Sequence, residues 1–104
     1  MALKLKEIFD ERGFSVFFEK LSVNRLHVVS MNPGAKRGDH VHDETEIICV
    51  LGGRGLAEIT LETLRNREQF VVEEDYKVVE VPGGVRHTVK NKGDRVFYLV
   101  CFTI

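Results

Sequence analysis

The sequence has few of the features that mark membrane, nucleic-acid-binding or disulfide-stabilised proteins. Its 104 residues include no tryptophan, two prolines and two cysteines, and no apolar run approaches the ~20 residues that a membrane-spanning helix needs. The net charge of −1 argues against a nucleic-acid partner, because such proteins usually carry a basic face. Residues 1–12 alternate charged and apolar side chains instead of forming the apolar core of a secretion signal. We therefore expect a cytoplasmic protein with no membrane contact.

The two cysteines, Cys49 and Cys101, lie in separate apolar runs and form no CxxC pair. That spacing gives no indication of a redox or zinc-binding motif. Free cysteines in apolar surroundings behave as small hydrophobic side chains. We predict two buried free thiols, in preference to a disulfide or a pair of metal ligands.

The length and the apolar content predict one small domain over residues 1–104. Domains commonly contain ~100–150 residues, and 43% hydrophobic residues suffice for one core. A chain this short buries a limited share of its surface when it folds. A bound metal ion or a partner subunit would therefore add stability.

Short runs rich in valine, isoleucine, phenylalanine and tyrosine alternate with glycine-rich or polar breaks. This pattern predicts an all-β sandwich or barrel. We predict strands over residues 14–20, 25–31, 40–42, 46–51, 55–62, 69–73, 77–81, 86–90 and 95–103. Residues 1–9 fit either one or two helical turns or a strand that covers the sheet. Residues 52–55 read as a hairpin turn and not as a phosphate loop, because no helix pattern follows them.

Two of these predicted strands are apolar on both faces, over residues 46–51 apart from Glu46 and over residues 96–102. Side chains alternate between the two faces of a strand, so both faces of these two must be covered. One cover is the interior of a barrel, and the other is a second layer or another subunit. The pattern therefore predicts a homodimer.

Three of the four histidines follow a spacing that is typical of a metal site. His40 and His42 would share one face of a strand. Glu46 follows a predicted turn on the same side, and His87 comes after a Pro-Gly turn much farther along the chain. Imidazole and carboxylate groups together suit borderline divalent metals. On its own the His-x-His pair is weak support, because two exposed histidines on a polar strand are common.

The residues around these side chains resemble the two sequence motifs of the cupin superfamily. The first motif matches residues 34–46, GAKRGDHVHDETE, with six residues between Glu46 and Gly53, and the second matches residues 82–91, PGGVRHTVKN. The resemblance implies an antiparallel β-barrel of the jelly-roll type, also called a double-stranded β-helix. It also implies one divalent metal ion (Zn, Fe, Mn, Ni, Co or Cu) with the ligands His40, His42, Glu46 and His87.

The chain departs from the second motif at Tyr76, where the family usually has a glycine. That glycine permits a tight turn with a positive φ angle, which a tyrosine resists. We expect the turn before this strand to have a different shape, built around residues 74–75. The predicted ligands do not depend on this turn.

Within the cupins, the chain looks most like the small ketoisomerases and epimerases that act on sugar nucleotides. The similar segments are residues 10–13 (DERG), residues 37–38 (RG) and residues 79–82 (VEVP). The resemblance implies isomerisation of a small polar ligand inside the barrel, with a metal that polarises its carbonyl group. Some sugar ketoisomerases of this type use the histidine pair without a metal, and His42 would then be the catalytic base. Two alternatives stay open: an iron- or manganese-dependent dioxygenase, and a non-catalytic binding or sensor module.

Four further residues are candidates for contact with the substrate or its protons. Arg37 and Arg25 could bind an anionic group, and Tyr98 could donate a hydrogen bond into the barrel. His27 could line the pocket as a proton shuttle or lie on the outer surface. We favour the surface or a subunit interface for His27, because it belongs to neither motif.

Overall fold

The computed structural model describes residues 3–104, which form ten antiparallel strands and no helix. The strands are β1 (Leu5–Asp10), β2 (Gly13–Phe18), β3 (Asn24–Met31), β4 (Lys36–His40), β5 (Glu46–Leu51), β6 (Ala57–Glu62), β7 (Arg67–Val71), β8 (Tyr76–Val81), β9 (Arg86–Asn91) and β10 (Phe97–Thr103). β1 and β2 form a hairpin, and the others form two sheets in the orders β3-β10-β5-β8 and β4-β9-β6-β7. From β3 to β6 and from β7 to β10, each strand lies in the other sheet from its predecessor. This arrangement confirms the predicted jelly-roll fold class. No helix in residues 3–104 is therefore available to cross a membrane.

The core lies between the two four-stranded sheets. Alternate side chains of facing strands fill it, and the largest that are fully enclosed include Phe97, Met31 and Ile59. β5 also buries the opposite face, where Ile47 and Cys49 lie outside this core. Full burial of one such aliphatic or aromatic side chain stabilises the fold by about 1.5–3 kcal/mol. The packing of the two sheets therefore fixes the distance between them.

The β1-β2 hairpin contacts the outer face of the β3-β10-β5-β8 sheet. Phe18 meets Phe102 edge to face at 5.3 Å between ring centroids, and Phe14 stacks on Tyr76 at 4.4 Å. The Tyr76 hydroxyl also donates a hydrogen bond to Glu7, which raises the pKa of Tyr76 to about 12. Of the two possibilities for residues 1–9, the covering strand is the correct one for residues 5–9, and Met1 and Ala2 lie outside the described residues.

Two local predictions were wrong. The strand expected over residues 40–42 is β4, which ends at His40, because its pairing with β9 extends back to Lys36. Residues 52–55 do not form a hairpin turn, since β5 and β6 belong to different sheets. Gly53 is needed there because a Cβ atom would lie 2.6 Å from the Val50 side chain. Tyr76 begins β8 without a positive φ angle, as expected for a turn of altered shape.

Both cysteines are buried free thiols, as predicted. Cys49 pairs with Val100 and Cys101 pairs with Ile48 in the ladder between β5 and β10, so the two thiols point to opposite faces of the sheet. Burial raises the pKa of both groups, and that of Cys101 reaches about 12, with the charge of Glu46 as a second cause.

The native protein should therefore react slowly with a thiol reagent such as 5,5′-dithiobis(2-nitrobenzoate) at pH 8. The thiolate is the reactive form, and burial suppresses it in both side chains. The released thiolate dye measures the rate, and protein unfolded in guanidinium, with two reactive thiols per chain, is the control. A native rate equal to that of a free thiol would contradict the burial of these groups.

Candidate metal and substrate site

Three imidazoles meet between the two sheets. His40 is the last residue of β4, His87 lies in β9, and His42 lies in the loop after β4. Among residues 3–104, one ring nitrogen of each lies within 4.8 Å of the corresponding nitrogens of the other two. The ring centroids are 4.7 to 5.8 Å apart. The structure thus brings together three of the four predicted ligands.

A β-bulge in β4 turns His40 toward His87. Along the ladder with β9, Gly38 pairs with Thr88, but the next pair is His40 with His87, so Asp39 is one extra residue. With strict alternation, Asp39 would face the interior and His40 would face solvent. The bulge therefore decides whether the two imidazoles meet.

Gly38 and Arg86 stabilise this bulge from opposite sides. The φ angles of Gly38 and Asp39 are +102° and +68°, values that glycine and aspartate tolerate best. A Cβ atom on Gly38 would lie only 2.5 Å from the carbonyl oxygen of His87. Arg86 donates to the carbonyl oxygen of Asp39 at 2.9 Å and lies 3.4 Å from its carboxylate. The first motif needs its glycine here because the backbone of β9 approaches so closely.

The second motif supports the loop that carries His42. The Gly84 amide donates to the His42 carbonyl oxygen at 2.8 Å. Gly83 lies against the same loop, and a Cβ atom there would lie 2.1 Å from the Asp43 carbonyl oxygen. The Pro-Gly-Gly turn before β9 therefore positions His42 as well as His87.

Hydrogen bonding orients the ring of His40. Its Nδ1 lies 3.0 Å from the Gly38 carbonyl oxygen. A carbonyl oxygen can only accept, so Nδ1 carries the proton of the neutral ring and Nε2 carries the lone pair. Histidines that bind metals commonly show this arrangement, because a backbone acceptor fixes the ring and its tautomer.

His87 and Glu46 form the buried side of the site. His87 is 5% exposed, and its Nε2 lies 2.9 Å from Oε1 of Glu46. Its Nδ1 is buried and has no hydrogen-bond partner within residues 3–104. A buried polar atom of this kind often marks the place of a water molecule or an ion. The donor set of three imidazoles with an adjacent carboxylate therefore fits a borderline divalent metal.

Glu46 is a neighbour of the imidazole cluster and not a member of it. Its oxygens are not within 4.8 Å of all three histidine nitrogens, and within residues 3–104 its side chain is hydrogen-bonded to His87. That hydrogen bond lowers the pKa of Glu46, and the charges of His87, His42 and His27 act in the same direction against partial burial. The carboxylate is thus available as an anionic ligand, and its place in the coordination sphere stays a prediction.

A pocket of about 430 Å³ opens beside these residues. Its lining combines an apolar wall with a few charged or titratable groups, as is usual for small-molecule sites. The residues are His27, Val29, Lys36, Arg37, Gly38, His40, Glu46, Ile48, His87, Val89, Leu99 and Cys101. A small polar ligand could contact the imidazole cluster and the apolar wall at the same time.

Of the predicted substrate residues, the structure brings only Arg37 into this pocket. Arg37 lines it and donates a hydrogen bond to the Ser30 carbonyl oxygen at 3.4 Å. Tyr98 is 51% exposed and lies on the outer face, because its neighbours Phe97 and Leu99 face the core. Arg25 is exposed at the start of β3 and does not line the pocket.

The structure places His27 on the inner face of its sheet and not on the outer surface, whereas a place at a subunit interface stays a prediction. In β3, His27 shares its face with Val29 and Met31, and burial increases from His27 toward the core residue Met31. The side chain is exposed, but it borders the pocket opposite the imidazole cluster. The motifs gave no indication that His27 borders the pocket, because neither motif contains it. The sequence signal for this position was the alternation of His27 with Val29 and Met31, which places the three side chains on one face of β3.

One family model matches the chain over residues 8–103 and describes a polysaccharide biosynthesis C-terminal domain. No curated protein matches the sequence. The prediction that residues 1–104 form a single domain stays a prediction, since the match shows only which stretch resembles the family.

Several solved structures share the fold. The capsular polysaccharide assembling protein CapF from Staphylococcus aureus is 21% identical with a TM-score of 0.66; the match covers 98% of this chain but only 29% of CapF. The 3,4-ketoisomerase QdtA from Thermoanaerobacterium thermosaccharolyticum, a double mutant in complex with TDP, is 18% identical with a TM-score of 0.72. The TDP-fucose-3,4-ketoisomerase WlaRA from Campylobacter jejuni is 18% identical with a TM-score of 0.67. The matches cover 95% of this chain in both cases, and 76% of QdtA and 78% of WlaRA. At these identities, the similarity shows the common fold.

The substitution Gly38→Ala should destabilise the protein more than Gly34→Ala does. Both glycines have a positive φ angle, but a Cβ atom meets nothing within 4 Å at Gly34 and meets the His87 carbonyl oxygen at Gly38. The shared backbone strain costs on the order of 1–3 kcal/mol, and the clash adds to it only at Gly38. Urea denaturation gives both free energies of unfolding. An equal decrease in the free energy of unfolding in the two variants would show that the close approach of β9 to Gly38 does not affect stability.

Proposed function

We propose that this chain, which belongs to the family of polysaccharide biosynthesis C-terminal domains, is a cupin that isomerises a sugar or sugar nucleotide with one divalent metal ion. The observation that carries this proposal is the meeting of three imidazoles beside a pocket of about 430 Å³. Two of the proteins that share the fold are described as 3,4-ketoisomerases. The proposed chemistry is therefore the transfer of a proton between two carbons next to a carbonyl group.

His40, His42 and His87 would hold the metal, and Glu46 would complete the set. The donors suit Zn, Fe, Mn, Ni, Co or Cu and do not select among them. When bound, such an ion acts as a Lewis acid that polarises a substrate carbonyl group. The protein contributes ring orientation through the Gly38 carbonyl oxygen and a partly buried, anionic neighbour in Glu46.

The pocket would bind the rest of the substrate. The guanidinium of Arg37 lines it and could hold a phosphate or carboxylate group through paired hydrogen bonds. The apolar wall formed by Val29, Ile48 and Leu99 would exclude water from the reacting carbons. A phosphorylated or nucleotide-linked sugar combines the two requirements, with an anionic group for Arg37 and a carbonyl group for the imidazole cluster.

The two alternative functions receive no comparable support. Proteins with the same fold include 3,4-ketoisomerases. Neither the dioxygenase nor the non-catalytic module is favoured by any contact in residues 3–104. A cytoplasmic location and the absence of a nucleic-acid partner stay predictions.

We also propose that a second copy of the chain covers part of the outer face of the β3-β10-β5-β8 sheet. Leu26 and Val28 on that face are 64% and 70% exposed, and Tyr98 lies beside them on β10. β3 is an edge strand, so its outer backbone groups are unpaired within the sheet. An exposed apolar patch next to an open edge is typical of an interface between subunits.

The parent protein, purified without an affinity tag or chelator, should contain about one equivalent of metal. His40→Ala and His87→Ala should each lose it, because each removes an imidazole that the fold places at the cluster. His27→Asn is the matched control, since this histidine lies outside the cluster. Elemental mass spectrometry measures the content and the identity of the metal.

A folded parent that contains no metal and takes none up on reconstitution would contradict the metal site. Circular dichroism of each variant separates the loss of a ligand from the loss of the fold. Equal metal content in the parent and in both alanine variants would contradict the assignment of the ligands.

The substitution Val28→Asp should convert the dimer into monomers. A carboxylate in the middle of an apolar interface would lose its hydration without a partner. Light scattering after size-exclusion chromatography gives the mass of the parent and the variant, and Leu64→Asp, at an exposed apolar residue in the β6-β7 turn, is the control. A parent that is monomeric at micromolar concentration would exclude this interface.

A further inference from the structure

His27 borders the pocket from the sheet opposite the one that carries His40 and His87. It lies in β3, pairs with Cys101 of β10, and lines the same pocket as His40 and His87. Its ring nitrogens are outside the group of three whose ligand atoms lie within 4.8 Å of one another. His27 therefore faces the space where a substrate would lie without belonging to the proposed metal set.

The backbone of β3 fixes the ring of His27. Its Nδ1 lies 2.7 Å from the carbonyl oxygen of Arg25. Since that oxygen can only accept, Nδ1 carries the proton of the neutral ring, and Nε2 offers a free lone pair. Arg25 itself has a φ angle of +55°, which residues with a side chain adopt rarely. Uncommon backbone conformations of this kind concentrate at functional sites.

An imidazole that binds a metal uses its lone pair for that bond and cannot accept a proton at the same nitrogen. If His40, His42 and His87 hold the metal, His42 cannot also be the base. The sequence has four histidines, so His27 is the only one left. Among the other groups that line the pocket, Lys36 and Arg37 are cations, and burial raises the pKa of Cys101 to about 12. Glu46 already accepts a hydrogen bond from His87 and is assigned to the metal.

We propose that His27 is the catalytic base of the isomerisation, an inference that rests on the proposed function. Nε2 of His27 takes the proton from the hydroxyl-bearing carbon next to the substrate carbonyl. The electron pair of that C–H bond forms a C=C bond, and the carbonyl oxygen becomes an enediolate oxygen. The hydroxyl proton moves to that oxygen, and the imidazolium of His27 then protonates the former carbonyl carbon. The product is the isomeric keto sugar, so no oxidant or reductant is needed.

The first test compares the metal-loaded parent with His27→Asn. The asparagine amide can still donate to the Arg25 carbonyl oxygen, but it has no basic nitrogen. Each protein is incubated in deuterium oxide with TDP-4-keto-6-deoxyglucose, the ligand named for one QdtA complex, and with other nucleotide-linked 4-keto sugars. NMR follows deuterium uptake at the carbon next to the carbonyl. We expect His27→Asn to keep its metal content and melting temperature and to lose at least about 100-fold in exchange rate.

A second readout does not depend on activity. Diethyl pyrocarbonate modifies imidazoles that have a free lone pair, and peptide mass spectrometry locates the product. In the zinc-loaded parent, His27 should be modified while His40, His42 and His87 are protected. Modification of His27 should fall when the Arg37 side of the pocket is filled with TDP.

The outcomes separate the two claims. A loaded parent that exchanges deuterium with none of the sugars overturns the proposed function, and the role of His27 with it. An active parent whose His27→Asn variant exchanges at the same rate overturns the role of His27 alone. Protection of His27 from diethyl pyrocarbonate in an active, metal-loaded parent would also overturn the role of His27 alone.

Discussion

The close approach of β4 and β9 at the Gly38 bulge is the contact on which the rest of the site depends. Only a residue without a side chain fits against the His87 carbonyl oxygen, and the extra residue Asp39 then reverses the direction of His40. Arg86 holds the bulge from the solvent side through the Asp39 carbonyl oxygen. Two strands that are far apart in the sequence thereby present their imidazoles to each other.

The fold class followed from the sequence because apolar alternation and glycine-rich breaks recur along the whole chain. The strand β4 was misplaced because residues 36–39 are charged or glycine, so only pairing with β9 makes them a strand. The hairpin predicted for residues 52–55 is wrong because glycines of this kind also suit a crossing between two sheets. The turn residues indicated where the chain changes direction, but not which strand it pairs with next.

The imidazole cluster was predictable because the two motifs carry both the histidines and the glycines that position them. The pocket residues outside the motifs were less predictable. Both faces of β3 carry apolar residues, so alternation separates Leu26 and Val28 from His27 and Val29 without showing which pair faces inward. Pairing with β10 decides which side chains of β3 face inward, and the same pairing places Tyr98 on the outer face. Long-range pairing of strands is the information that local patterns do not contain.

The site straddles the two sheets. His40 and His87 come from β4 and β9, whereas Glu46 and His27 come from β5 and β3 of the opposite sheet. Direct contact between the halves includes the hydrogen bond from His87 to Glu46. The distance between the two halves of the site is therefore set by the core, because side chains such as Phe97 and Met31 keep the two sheets apart. Selection for a larger or smaller ligand could then act through core volume, on residues that never touch the ligand.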